Sequence, residues 1–228
     1  MQTLDETRAR IRENEQRYRR EPGSVQLIAV SKTHPAECVR RAAAHGQLDF
    51  GENYLQDALQ KIADLRDLRL HWHFIGHVQS NKCREIAANF DWVHSVDRLK
   101  IARRLSDHRT PERGPLNVFL QVNLQGEAGK SGVSPADAPN LAQVVTELPN
   151  LRLCGLMAIP KLETEFDRQR AAFGELRKLL EELNRRGIDA DGLSMGMTAD
   201  LEAAIAEGAT HVRIGTAIFG PRLAKPGD

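Results

Sequence analysis

Apolar positions along the chain follow two periods in turn, and the switch between them recurs from end to end. Short β-rich runs stand at Val25–Ser31, Leu48–Asn53, His73–Gly76, Trp92–Val96, Asn117–Val122, Leu151–Ile159, Gly192–Met195 and His211–Phe219. Between them, apolar residues recur every three or four positions, the spacing of one helix face. These segments predict helices over Ala36–His45, Leu55–Leu65, Asn81–Phe90, Leu99–Leu105, Ala136–Leu148, Phe166–Arg186 and Ala199–Glu207. Pro35 and the Ser134-Pro135 pair suit helix openings, and Thr198 is the expected cap of the last helix. A polar opening helix, with Leu4, Ile11 and Tyr18 on a thin stripe, precedes the first strand.

Strands that alternate with helices pair in parallel through right-handed crossovers. Eight such units suit a closed (β/α)8 TIM barrel better than an open doubly wound sheet. The expected fold is therefore α/β, a single barrel domain over residues 1–228 with an extra N-terminal helix over residues 1–21. No Ser/Gly-rich linker divides the chain, and Thr110–Pro115 reads as a loop. In such barrels the chemistry sits where strands end and βα loops begin.

Composition narrows the function classes. A hydrophobic fraction of 41% with 28% charged residues belongs to a folded globular protein and excludes disorder for the bulk of the chain. With 32 Lys+Arg against 31 Asp+Glu the net charge is +1, so no whole-molecule field draws nucleic acid or an anionic membrane. Any anionic ligand must be held by local geometry. Cys38, Cys83 and Cys154 stand far apart, which fits neither a zinc ribbon nor a disulfide framework. The charged N-terminus lacks the apolar stretch of a signal peptide, and no run approaches the ~20 apolar residues of a membrane span. The expected location is the cytoplasm.

The first predicted strand ends on Lys32, just before Thr33-His34-Pro35. A lysine at a barrel mouth loses its proton readily because desolvation disfavours the ammonium, and a neutral amine attacks an aldehyde. By itself such a lysine reads more readily as a solvated loop residue. The last two units change that reading. Ser194-Met195-Gly196-Met197-Thr198 turns from a strand into a helix, and the last strand ends in Arg213-Ile214-Gly215-Thr216. Phosphate sites in these barrels are built from the loops after strands seven and eight. A Schiff-base lysine and a phosphate cup together suggest pyridoxal phosphate.

Beyond these points, the segments Ala29-Val30-Ser31-Lys32-Thr33, Phe50-Gly51-Glu52-Asn53-Tyr54, His73-Phe74-Ile75-Gly76-His77-Val78-Gln79-Ser80-Asn81-Lys82, Gly155-Leu156-Met157-Ala158-Ile159-Pro160, Ser194-Met195-Gly196-Met197 and Val212-Arg213-Ile214-Gly215-Thr216-Ala217-Ile218-Phe219-Gly220 occur in order. So do His94-Ser95-Val96-Asp97 and Gln121-Val122-Asn123, and together the set resembles the pyridoxal phosphate homeostasis proteins over nearly the whole chain. The resemblance implies a barrel like the N-terminal domain of alanine racemase, with pyridoxal 5′-phosphate held on Lys32 and a role in intracellular vitamin B6 balance. Matched by position, Asn53 is a cofactor-pocket residue, and Ser194, Gly196 and Met197 form the first phosphate loop. Gly215 and Thr216 form the second, and Arg213 faces the pyridine nitrogen. Other B6 vitamers, and transient contact with apoenzymes that need the cofactor, are the partners it implies. The loop Gln125–Ser131 is a looser match, and no role is carried onto Lys130.

A permanently charged guanidinium opposite the pyridine nitrogen keeps that nitrogen unprotonated and the ring a weak electron sink. This suits carrying more than catalysis. The alternative is a racemase-type enzyme, which needs a second base on the opposite face of its substrate. Tyr54, beside the pocket asparagine, is the candidate, and its plainer reading is packing at the start of a helix. His71, His73 and His77 could ligate a metal, although no neighbouring cysteine or carboxylate completes a set and the structural reading is favoured. Ser31, Ser95 and Ser194 could serve a hydrolase, but none sits in G-x-S-x-G. The basic Arg17–Arg20 cluster is interspersed with Glu13, Glu15 and Glu21 and reads as a solvated helix face.

Overall fold

The computed structural model describes residues 3–127 and 129–221, so the expected extent of 1–228 runs past these residues at both ends and across position 128. Helix α1 (Leu4–Arg17) opens on a capping box: the Thr3 hydroxyl accepts from the Glu6 amide, while the Glu6 carboxylate accepts from the Thr3 amide. Leu4 and Ile11 are buried, whereas Tyr18 follows the helix and donates its hydroxyl to the Glu202 carboxylate at 2.8 Å.

Eight strands then alternate with helices among the described residues. They are β1 (Gln26–Val30), β2 (Asp49–Glu52), β3 (His71–Phe74), β4 (Trp92–Val96), β5 (Leu116–Gln121), β6 (Leu151–Met157), β7 (Gly192–Ser194) and β8 (His211–Ile214). The helices are α2 (Ala36–Ala44), α3 (Leu55–Asp64), α4 (Cys83–Asn89), α5 (Leu99–His108), α6 (Ala138–Thr146), α7 (Phe166–Arg185), α8 (Leu201–Ala206) and α9 (Thr216–Phe219). All neighbouring strands pair in parallel, and β8 closes on β1 with Leu27 opposite Val212 and Ile28 opposite Arg213. The result is the closed barrel that the alternation predicts.

Period-two alternation divides the strand residues between two layers. Leu27, Ala29, Phe50 and Val212 join the large apolar cluster under the helices. The barrel interior is filled differently. The ring of Phe119 packs at 4.7 Å from His94 and 5.0 Å from His211, and the His73 ring stacks on Trp92 at 5.4 Å.

Several expected boundaries move. β3 starts and ends two residues before the expected His73–Gly76 span. The eighth run, expected to continue to Phe219, stops at Ile214, which pairs with Ala29 on β1. The chain beyond turns into α9, whose Ile218 and Phe219 amides bond back to the Gly215 carbonyl at 2.9 and 3.0 Å. An apolar run alone does not distinguish a buried strand from a buried helix turn. α8 begins at Leu201 with Asp200 at its cap position, so Thr198 lies in the preceding loop.

Candidate cofactor site at the barrel mouth

The ends of β1 and β2 are pinned from behind by a buried ion pair. Lys61 on α3 donates to the Glu52 carboxylate at 2.6 Å and to the Ser31 carbonyl at 2.7 Å, and the Ser31 hydroxyl donates to the same Glu52 oxygen at 2.6 Å. Burial pushes the Glu52 carboxyl upward, and the Lys61 charge opposes it. This lock stands directly behind Lys32 and Asn53, and sequence reasoning missed it because its members lie on three separate elements.

Lys32, half-buried, leaves β1 just before Thr33, whose φ of 66° is a left-handed conformation that a β-branched residue rarely adopts. The Thr33 hydroxyl and the Asn53 side-chain oxygen are both buried without a hydrogen-bond partner. Strain and orphaned polar atoms of this kind concentrate at functional sites. Gly76, from the HFIGH run, lets the chain after β3 press against the Asn53 backbone: a Cβ there would lie 2.1 Å from the Asn53 carbonyl oxygen.

Across the mouth, the segments after β7 and β8 complete a cavity of about 320 Å³. Of the residues expected in a cofactor site, Lys32, Asn53, Met197, Arg213, Gly215 and Thr216 line it, together with His34, Ile159 and Thr198. Arg213 is buried, and burial pulls its pKa down to about 10, which leaves it cationic at neutral pH. His34 is also pushed down, first by burial and then by the Lys61 charge. Among the described residues, no carboxylate belongs to the lining. The cavity is cationic with apolar walls.

Two expected residues are not brought to it. Ser194 is fully buried inside the barrel, its hydroxyl oxygen 2.7 Å from His94 Nδ1 and 2.6 Å from Arg213 Nη1. Gly196 serves packing: at φ 95° its missing Cβ would sit 2.5 Å from that of Ala204 on α8. Met197 reaches the cavity, but its amide donates to Asp200 Oδ1 at 2.5 Å. Tyr54, expected to pack at a helix start, is 52% exposed and stands outside the lining. Lys130 is paired with Glu127 and also lies outside it. His71 and His73 both reach Asp49 Oδ1, at 3.2 and 3.0 Å, and the His77 ring meets the Ser131 hydroxyl at 3.0 Å.

Closed parallel barrel, lysine at the end of β1 and arginine at the end of β8 define a barrel of the alanine racemase class, and residues 6–223 match the family described as alanine racemase, N-terminal domain. A likeness in fold alone extends to the alanine racemase of Corynebacterium glutamicum, 19% identical with a TM-score of 0.69, of which the chain covers 64%. Closer relatives narrow the class. The pyridoxal phosphate homeostasis protein of Pseudomonas aeruginosa is 63% identical over 94% of this chain and 92% of its own length. That of Escherichia coli K12 is 48% identical over 96% and 95%. PipY of Synechococcus elongatus, solved with PLP bound, is 41% identical with a TM-score of 0.82, covering 92% of this chain and 100% of its own. The chain belongs to the pyridoxal phosphate homeostasis protein family.

Proposed function

We propose that this one-domain barrel binds pyridoxal 5′-phosphate in the mouth cavity and serves vitamin B6 homeostasis in the cytoplasm by storing, buffering or delivering it. The observation that carries this reading is the convergence of Lys32, Asn53, Arg213 and Thr216 on one cavity whose described lining holds no carboxylate. The residues fit the cofactor. Lys32 Nζ condenses with its aldehyde, forming the carbon–nitrogen bond of a Schiff base as one water leaves. The orphaned Asn53 oxygen gains a polar partner, and Met197, Gly215 and Thr216 border the phosphate end alongside Thr198.

When bound, the cofactor supplies a reactive aldehyde and an aromatic ring able to withdraw electrons. Arg213 holds a cationic donor toward that ring, so its nitrogen has no acidic partner to keep it protonated. The cavity thereby protects the aldehyde while leaving it chemically quiet. Phosphorylated vitamers share the phosphate and ring that this site recognises, and apoenzymes lacking the cofactor are the recipients. The racemase alternative requires a second proton-transfer group, and Tyr54 stands outside the lining.

Borohydride reduction of purified protein, followed by peptide mass spectrometry, tests the assignment. The expected result is an irreversible adduct on Lys32. An adduct mainly on Lys82, Lys130 or Lys161 would overturn it. Multiple turnover of L-amino acids, read by chiral chromatography, would replace the carrier with the enzyme.

A further inference from the structure

A file of hydrogen bonds crosses the barrel interior from the mouth toward the N-terminal ends of the strands. Arg213 Nη1 lies 2.6 Å from Ser194 Oγ, which lies 2.7 Å from His94 Nδ1. His94 Nε2 lies 2.9 Å from His73 Nδ1, and His73 Nε2 lies 3.0 Å from Asp49 Oδ1. Ser194, His94 and His73 are buried.

The proton positions follow from donor and acceptor chemistry. A carboxylate only accepts, so His73 carries its proton on Nε2 and presents a bare Nδ1. His94 must then donate from Nε2, which leaves its own Nδ1 to accept from the Ser194 hydroxyl. A guanidinium only donates, so Arg213 donates to the remaining lone pair of Ser194. Every proton points from Arg213 toward Asp49. Burial favours the neutral form of both histidines, consistent with this single arrangement.

We propose that Ser194 is a positioning residue for Arg213, held in register by His94, His73 and Asp49, and not a ligand of the cofactor phosphate. Its hydroxyl proton is committed to His94 and its oxygen to the guanidinium, while Arg213 Nη2 donates to the Ala158 carbonyl at 3.1 Å. Two anchors fix the guanidinium plane. No carboxylate among the described residues bonds Arg213 directly: Asp49 stands at the far end of the file, and Asp200, whose charge reaches the guanidinium, accepts from the Met197 amide instead. A directly paired carboxylate would draw the guanidinium to itself and weaken its field at the cavity. The same geometry disposes of Ser194 and His94 as a nucleophile and base, because no substrate reaches a fully buried hydroxyl.

This inference rests on the cofactor reading above, and ligand choice separates the two. Equilibrium binding of pyridoxal phosphate and of pyridoxal, which lacks the phosphate, is compared for wild type and Ser194→Ala. Loss of the anchor to a charged group weakens both ligands by the same factor, about tenfold or more. With cofactor labelled at the ring nitrogen, the nitrogen-15 signal shifts in the variant. Weakening confined to the phosphorylated ligand would make Ser194 a phosphate ligand and overturn the proposal, as would unchanged binding of both. Wild-type protein that takes up neither ligand overturns the cofactor assignment itself. Should Ser194→Ala fail to fold, imidazole nitrogen-15 spectra of ligand-free wild type decide the matter: His73 and His94 are expected protonated on Nε2, and an Nδ1-protonated ring at either would break the file.

Discussion

The two ends of the barrel are built from the same strands and carry opposite chemistry. At the C-terminal mouth, Lys32, His34 and Arg213 line a cavity of about 320 Å³ with no carboxylate in its lining among the described residues. At the other end, Asp49, Asp91 and Asp191 with His71, His73 and His211 line a larger cleft of about 630 Å³ with no lysine or arginine in its lining among the described residues. Size alone would choose the acidic end. A phosphate-bearing aldehyde needs an amine, cationic donors and apolar walls for its ring, which the mouth supplies and the acidic cleft repels. Backbone strain agrees with charge, since left-handed Thr33 sits beside Lys32. The acidic end is better understood as the anchorage of the buried histidines, with Asp49 taking bonds from His73, His71 and Gln26. Burial favours a protonated Asp49, but these histidines outweigh it and hold the group below its usual range.

Acid should break the comparison most strongly, and from the inside. His73, His94 and His211 are all pushed down by burial, His211 to about 3. The unfolded chain binds protons at these rings below about pH 6.5. The folded chain does not, so stability is full above that pH and falls as pH drops. The slope is ~1.4 kcal/mol per pH unit for each histidine that stays neutral, several kcal/mol in total by pH 4.5. Urea denaturation of ligand-free protein between pH 4.5 and 7.5 measures this, and a flat profile would contradict neutral buried rings.

Thr216→Ala sharpens the contrast between the ends. It removes a hydroxyl from the phosphate side of the mouth, and a bond to a charged group is worth about 1.5–3 kcal/mol, or roughly ten- to a hundredfold in affinity. Pyridoxal phosphate should lose that factor while pyridoxal does not. Asp191→Asn at the opposite end should leave both affinities unchanged, and equal losses in the two variants would erase the distinction between the ends.

The smallest effect is expected at Thr33. Glycine adopts φ 66° without steric cost, and Thr33→Gly also deletes the orphaned hydroxyl. After the added chain entropy of the unfolded state, the ligand-free protein should gain about 1 kcal/mol in urea denaturation. Lower stability in the variant would show that the turn before α2 stores no strain.

The alternation of short apolar runs with amphipathic helices determined the barrel from the sequence alone, because each period is set by residues within one pleat or one helical turn. Lys32 could be placed at the mouth by the same logic, standing at the end of the first predicted strand, and the Arg213–Thr216 segment by the rule that the last two units build a phosphate site, whereas Asn53 came only from the family resemblance. Tertiary structure decided what faced inward. Ser194 reads as a loop hydroxyl in sequence, yet it turns into the barrel because β4 and β8 bring His94 and Arg213 to it across large sequence separations. The Lys61 lock and the file to Asp49 were invisible for the same reason. Hydrogen bonds between side chains on different strands depend on register and closure, and those exist only once all eight strands have met.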